Sequence, residues 1–337
     1  MRLATRRPAQ SWGKQIMPLH VTEGCTGLMF LHRAYGLVIE SELHLPCLTA
    51  AESHCLPADI TISLAESIPD LPDPILCERW WQASPSATRI EIEGVAVYLV
   101  EEGRRIRVKP AEGADPAEVP LFLLGSVLGA LLYQRGIFPL HGSAVETPWG
   151  AMVFAGPSGI GKSTLAAHFH RAGYRLLADD VCAITLDSGG IPQVLPAFPQ
   201  LRLKTDAIER LYGKNIPAAS SNNADKVVVP LGEGHAPMPI PLRTIHVVTD
   251  SGKGSPSITF LRGFDSIRWL ADNLSRPHLL QGPRHRGRLL RLVAEIAQMV
   301  EVVQLSRPRD ATGLDGLVQW LEHGWEGRSR LALALEP

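Results

Sequence analysis

One short run carries the strongest chemical signal in this sequence. Gly156-Pro157-Ser158-Gly159-Ile160-Gly161-Lys162-Ser163 satisfies the spacing G-x-x-x-x-G-K-[ST] at every fixed position, and Thr164 follows it. Glycines so placed let backbone N–H groups turn inward around an anion, and a helix beginning there adds partial positive charge. Lys162 is positioned to reach the β- and γ-phosphates of a nucleoside triphosphate, ATP or GTP, and Ser163 to ligate Mg²⁺.

A phosphate loop names a ligand rather than a reaction. The reaction is suggested by a second group, Asp179-Asp180, which arrives 17 residues after Lys162 at the end of the next apolar segment. Ligands of open α/β sheets sit at the carboxyl ends of strands, so these carboxylates are expected beside the loop. One can hold Mg²⁺ while the other takes a proton from an attacking hydroxyl. We assign Asp179 as base and Asp180 to the metal side with Ser163, an order that can be reversed. Neighbours in a strand point to opposite faces, so both reach one site only if the strand ends there and turns. His141, in Pro139-Leu140-His141-Gly142-Ser143, is a third catalytic candidate, able to hydrogen-bond an Asp and tune its basicity.

The elements that must position these groups follow from pattern. The apolar run Ala151-Met152-Val153-Phe154-Ala155 reads as a buried strand into the loop, and Ser163 to Arg171 as the helix out of it, which is the context the motif requires. Pro148-Trp149-Gly150 reads as the turn of a hairpin between Pro139–Thr147 and Gly150–Gly156. Tyr174–Ala178 and Val181–Leu186 are strands, with others at Leu201–Leu203, Lys226–Val229, Thr244–Thr249 and Ile258–Leu261. The tail reads as helical over Ser266–Asn273, Arg286–Val300 and Ala311–Gly324. Upstream, alternating segments around Gly36, at Ala58–Leu64, around Gly94 and at Arg105–Lys109 predict strands. Val119–Arg135 reads as a helix packing where two halves meet; its apolar part is shorter than the roughly 20 residues a bilayer requires.

These boundaries divide the 337 residues into a flexible leader (1–20), an N-terminal β-rich domain ending in a core helix (21–135) and a catalytic domain with C-terminal helices (136–337). A formal net charge of −1 argues against a nucleic-acid partner. Five cysteines without a CxxC pair fit a reduced, cytoplasmic setting, and no membrane span is expected. Arg276, Arg284, His285, Arg286, Arg288 and Arg291 form a basic cluster, either a solvated helix face or a phosphate clamp. Lys226, beside the loop-like Ala218–Ala224, is a candidate to reach transferred phosphate.

The block from Leu140 to Asp180, LHGSAV through VFAGPSGIGKSTLA to GYRLLADD, resembles the catalytic domain of the HPr kinase/phosphorylase family. It is most similar to the HPr-kinase-related branch that includes kinases of lasso-peptide biosynthesis. Phosphoenolpyruvate carboxykinase shares that nucleotide-binding core. The resemblance covers about 40 residues strongly; Pro199–Leu203 and Arg307-Pro308-Arg309-Asp310 are weaker likenesses, and Tyr35-Gly36-Leu37 with Ser41-Glu42-Leu43 looks like the branch's leading segment. It implies an α/β fold with a P-loop catalytic domain of HPr kinase/PEP carboxykinase type, and functional positions at His141, Gly156, Gly161, Lys162, Ser163, Asp179 and Asp180, with Asp179 as general base for a serine hydroxyl. Two departures matter. Thr164 stands where the bifunctional enzymes carry an acid, and their glycine-rich signature segment is missing, so kinase activity carries over better than phosphorylase activity.

The expectation is therefore a kinase moving a γ-phosphoryl group to a hydroxyl, foremost a serine of a protein or peptide, with Mg²⁺ and ATP or GTP; a homo-oligomer is compatible with this. A small-molecule kinase acting on serine or a sugar, or a non-catalytic nucleotide sensor, are the alternatives. No Asn-Lys-x-Asp and no Leu-Ser-Gly-Gly sequence occurs, which disfavours a GTPase and a transporter ATPase.

Overall fold

A computed structural model describes residues 29–51, 57–213, 227–252, 255–279, 282–308 and 313–333. The expected leader, Cys25, Cys55, Lys226 with the 218–224 segment, and Arg309-Asp310 lie outside these residues. The chain is mixed α/β and is built on two large sheets.

The first half alternates apolar and polar residues and, among the described residues, forms nine strands: β1 (Phe30–Ala34), β2 (Leu37–Ser41), β3 (Thr49–Ala50), β4 (Ile60–Leu64), β5 (Leu76–Glu78), β6 (Trp81–Ala83), β7 (Ala87–Ile92), β8 (Ala96–Glu101) and β9 (Arg105–Pro110). They pair in the order β3-β1-β2-β4-β9-β8-β7-β6-β5. The turn between β1 and β2 is Tyr35-Gly36, with φ of 54° and 70°. Positive φ at both central residues is the primed geometry whose twist matches a tight hairpin.

The apolar segment after this sheet is helical throughout. It runs as α1 (Glu118–Phe122), a π-helical turn (Leu123–Val127) and α2 (Leu128–Arg135). Six of the eight α2 residues are buried. The same apolar core contains side chains of the first sheet, of this helix and of the second sheet, from Ile62 and Tyr98 through Leu131 to Leu140 and Val153. Among the described residues no helix is long and apolar enough to cross a membrane.

The second half contributes β10 (Phe138–Thr147), β11 (Gly150–Ala155), α3 (Lys162–Arg171), β12 (Leu176–Ala178), β13 (Val181–Leu186), β14 (Pro192–Leu195), β15 (Gln200–Leu203), α4 (Thr205–Tyr212), β16 (Val227–Pro230), β17 (Ile240–Asp250), β18 (Ser257–Leu261), α5 (Phe264–Asp272), α6 (Gly282–Met299), β19 (Glu301–Arg307) and α7 (Leu314–Leu333). β10 serves three neighbours, the third being β12, which pairs at Ala144 and Val145. Phe138–His141 pair with β13, and Gly142–Thr147 pair with β11. β11 also lies parallel to β17, which pairs with β14, and β14 with β13. The pairings β10-β13-β14-β17-β11-β10 thus close on themselves, and β19 and β18 extend the sheet from β17. A second apolar cluster joins α3, β15, α4 and α7 through Phe169, Leu201, Ile208 and Leu317.

Strands β3, β5 and β6 of the first sheet were not expected, and two strands of the second half also depart from the sequence expectation. β14 was not expected, and Glu301–Arg307 lies between two helices of a tail that reads as helical. Its burial alternates from Val303 to Arg307, but the run is too short and too apolar for period alone to separate it from the helix before it.

Candidate active site

The glycine run emerges from β11 and ends in α3, as its flanks predict. Gly156, Gly159 and Gly161 sit at φ of 136°, 78° and 95°, a region side-chain-bearing residues rarely enter. At two of them the chain also has no room for a Cβ, which would lie 2.7 Å from Val248 O at Gly156 and 2.5 Å from Arg307 Nη2 at Gly161. Lys162 is buried, and its Nζ donates to Gly156 O at 2.8 Å and Pro157 O at 2.9 Å. The lysine therefore folds over the loop's own carbonyls. Arg307, at the end of β19 and 4% exposed, braces the loop from behind by donating through Nη2 to Ile160 O at 2.8 Å.

The aspartate pair falls in the two-residue break between β12 and β13. Asp180 takes φ of 73°, and this left-handed residue turns its carboxylate away from that of Asp179. Asp179 is 8% exposed. Its Oδ1 accepts from the Ser143 hydroxyl at 2.6 Å and its Oδ2 from the Arg202 backbone N–H at 2.8 Å. Asp180 is more open and is ringed by cationic or ionisable side chains. Arg276 Nη2 lies 3.8 Å and Arg202 Nη1 4.0 Å from its Oδ2, and His141 Nδ1 lies 3.7 Å from its Oδ1. His141 Nδ1 is also 3.0 Å from the backbone oxygen of Asp180. A proton on Nδ1 satisfies that oxygen and leaves the lone pair on Nε2.

Three elements deliver these neighbours. His141 closes the first half of β10, opposite Val181. Arg202 belongs to β15. Arg276 follows a segment pinned alongside β10, where His141 donates its backbone N–H to Asn273 O at 2.9 Å and Ser275 donates to Pro139 O at 2.8 Å. The Tyr133 hydroxyl of α2 holds the same segment through Ser275 O at 2.6 Å. Gly125 and Gly129 make room for the Arg276 side chain; a Cβ at Gly125 would come within 3.3 Å of its Nη2.

The β1–β2 turn also reaches this place. Tyr35 is buried, donates its backbone N–H to Pro196 O at 2.6 Å and meets the Phe198 ring edge-on at 5.5 Å. Burial, reinforced by the Asp180 charge, pushes its phenol above the ordinary tyrosine range. Cys182 is wholly buried and pushed up in the same way by burial and then Asp179, so it is a packed apolar group and not a reactive thiol.

Two cavities meet at Asp180. One, of about 390 Å³, is bounded by His141, the loop residues Gly156-Pro157-Ser158, Asp180 and the 272–276 segment. The other, of about 570 Å³, lies between the β1–β2 side of the first sheet, the start of the 118–135 helix and the Asp179–Val181 and Phe198–Arg202 segments. Asp180 is the residue common to both walls.

The structure thus brings Asp180, His141 and the beginning of the glycine loop to one cavity, while Asp179 lines the other. Ser163 and Thr164 occupy the first turn of α3. Three members of the basic cluster have different surroundings. Arg276 reaches Asp180, Arg288 packs under Gly136, and Arg291 is exposed on α6. Sequence reading gave no role to Ser143, Arg202 or Tyr35, although the resemblance touches the segments of Arg202 and Tyr35. A serine two residues after His141 and an arginine in a short strand carry no local signal, whereas tyrosine before glycine in a tight turn is an unusual choice. Among the described residues no group of three or more His, Cys, Asp or Glu converges on a metal position. The Ser163 hydroxyl and the Asp180 carboxylate are hard oxygen donors that suit Mg²⁺, an ion that takes further ligands from phosphate and water.

No protein-family profile matches this chain, and no curated protein matches it. Among solved structures, the chain is similar to the Hpr(Ser) kinase/phosphatase from Coxiella burnetii, at 11% identity over 57% of this chain and 98% of that one, with a TM-score of 0.32. A likeness this loose decides neither fold nor chemistry.

Proposed function

We propose that the chain is a nucleoside-triphosphate-dependent phosphotransferase that moves the γ-phosphoryl group to a hydroxyl. The observation that carries this reading is Asp180, whose carboxylate stands between a cavity walled by the phosphate loop and a separate cavity able to admit an acceptor. The backbone N–H groups of 157–162 and Lys162 grip the triphosphate. Lys162 exchanges its loop carbonyls for phosphate oxygens as nucleotide enters. Ser163 would hold Mg²⁺ together with phosphate and water oxygens, and the ion would supply neutralising charge to the triphosphate.

Asp180, not Asp179, is then the better-placed base. Both Asp179 oxygens already accept a hydrogen bond, so its role is to fix the turn. The acceptor hydroxyl gives its proton to Asp180 as its oxygen forms the new bond to phosphorus. The bond from that phosphorus to the β–γ bridging oxygen breaks, and the nucleoside diphosphate leaves with the electron pair. Arg202 and Arg276 stand where they can hold the charge spread over the transferring group. The acceptor suggested by the sequence resemblance is a serine of a protein or peptide; a free small-molecule hydroxyl is the second reading, favoured by the mostly apolar 570 Å³ cavity.

The test is transfer of labelled γ-phosphate by Asp180→Asn. Nucleotide affinity should persist while the transfer rate falls on the order of 10²–10⁴-fold. Recovery at raised Mg²⁺ would reassign Asp180 to the metal, and an unchanged rate would remove it from the reaction.

A further inference from the structure

We propose that the acceptor is a small amphiphilic alcohol, a primary hydroxyl on an apolar body, bound in the larger cavity with its hydroxyl at Asp180. This deepens the phosphotransferase reading and rests on it. The cavity volume, about 570 Å³, lies within the range of roughly 300–1,000 Å³ that encloses a small molecule. Its walls are mostly apolar, with Pro46 from the first sheet's side, Pro120, Leu121 and Leu124 from the helix, and Val181 and Phe198 from the second half. Polar side chains that could orient a ligand are Asp179, Asp180, Gln200 and Arg202 from the second half, with His44 and Glu118 also in the lining.

A sugar carries a hydroxyl on nearly every carbon, and each one set against the apolar part of the wall without a partner costs about tenfold or more in affinity. An alkyl or aryl body instead gains from each methylene it removes from water. Its one hydroxyl meets the one carboxylate that also borders the phosphate-loop cavity. The group transfer is the one already written, with the alcohol oxygen forming the new P–O bond and its proton passing to Asp180. Leu124, at the π-helical turn, is partly exposed to this cavity, so a larger side chain there fills space without opening the core beneath.

The experiment uses the full chain with ATP, Mg²⁺ and the primary alcohols 1-butanol, 1-hexanol and 1-octanol, beside a set of serine peptides. Affinity for the alcohols, read by calorimetry, should rise about fourfold per methylene, and labelled phosphate should pass to the alcohol. Leu124→Trp should weaken 1-octanol binding at least tenfold while leaving ATP affinity unchanged, the latter also reporting that the variant is folded. Alcohols that bind without being phosphorylated, binding indifferent to Leu124→Trp, or phosphate appearing on peptides and not on alcohols would each overturn this inference. The last outcome would leave the phosphotransferase reading standing, whereas failure to bind ATP at all would remove both.

Discussion

The Ser143 hydroxyl donates to Asp179 Oδ1 at 2.6 Å, between β10 and the break after β12. This bond, with the Arg202 N–H on Oδ2, occupies the buried carboxylate and separates its job from that of Asp180. Ser143→Ala and Asp179→Asn should each lower stability by about 1–3 kcal/mol, the cost of leaving a buried polar group unpaired, measured by urea denaturation. Because the two residues share one bond, the double variant should cost clearly less than the sum. Additive losses would mean that the bond is not what Asp179 needs.

Nucleotide binding isolates the loop. Gly161→Ala places a methyl against Arg307 Nη2 at a backbone angle alanine resists, so it should displace both the turn and its brace and weaken ATP by tenfold or more. Lys162→Ala keeps the loop's backbone angles but removes the ammonium that bonds the Gly156 and Pro157 carbonyls, and should cost about 1.5–3 kcal/mol of ATP binding, as for a charged hydrogen bond. Titration of ATP by calorimetry reads both; equal, unperturbed affinities would reject the loop as the nucleotide site.

Arg276 offers a separate readout. Its guanidinium faces Asp180 across the glycines of the 118–135 helix. Arg276→Ala should lower kcat on the order of 10²-fold, the scale of one transition-state donor, with ATP affinity little changed. Arg276→Lys should restore little of it, since an ammonium does not reproduce the planar fork. Full recovery with lysine would reduce the residue to a point charge.

Acid stability should report His32. Among the described residues neither nitrogen of this buried ring has a hydrogen-bond partner. Burial, then the neighbouring His44, lowers its pKa to about 4. The unfolded chain therefore binds a proton that the folded chain refuses between pH 6.5 and about 4. Stability from this group is present above that window and is lost as pH falls through it, up to about 3 kcal/mol. His32→Phe should flatten that part of the curve, measured as the difference in unfolding free energy between pH 7 and pH 4.5. A slope identical to that of the parent would clear His32.

What the sequence alone determined is local. Strand, glycine loop and helix are contiguous, and their geometry follows from glycines that can adopt positive φ and a lysine that begins the helix. The β10–β11 hairpin is readable from its turn, and the 118–135 helix from a long apolar run. The turn at the aspartate pair was stated only as a condition, and the left-handed Asp180 fulfils it. The tertiary structure alone decided what surrounds that pair. Ser143, Arg202, Arg276 and Tyr35 are distant in the chain, and sheet pairing and packing set their approach, through the divided pairing of β10, the 273–276 segment against it and the β1–β2 turn. Strand β19 was hidden for the same reason, because its identity comes from lying beside β17 and not from its own period. Periodicity describes how a segment meets one neighbour; a site assembled from six segments depends on neighbours that no single segment encodes.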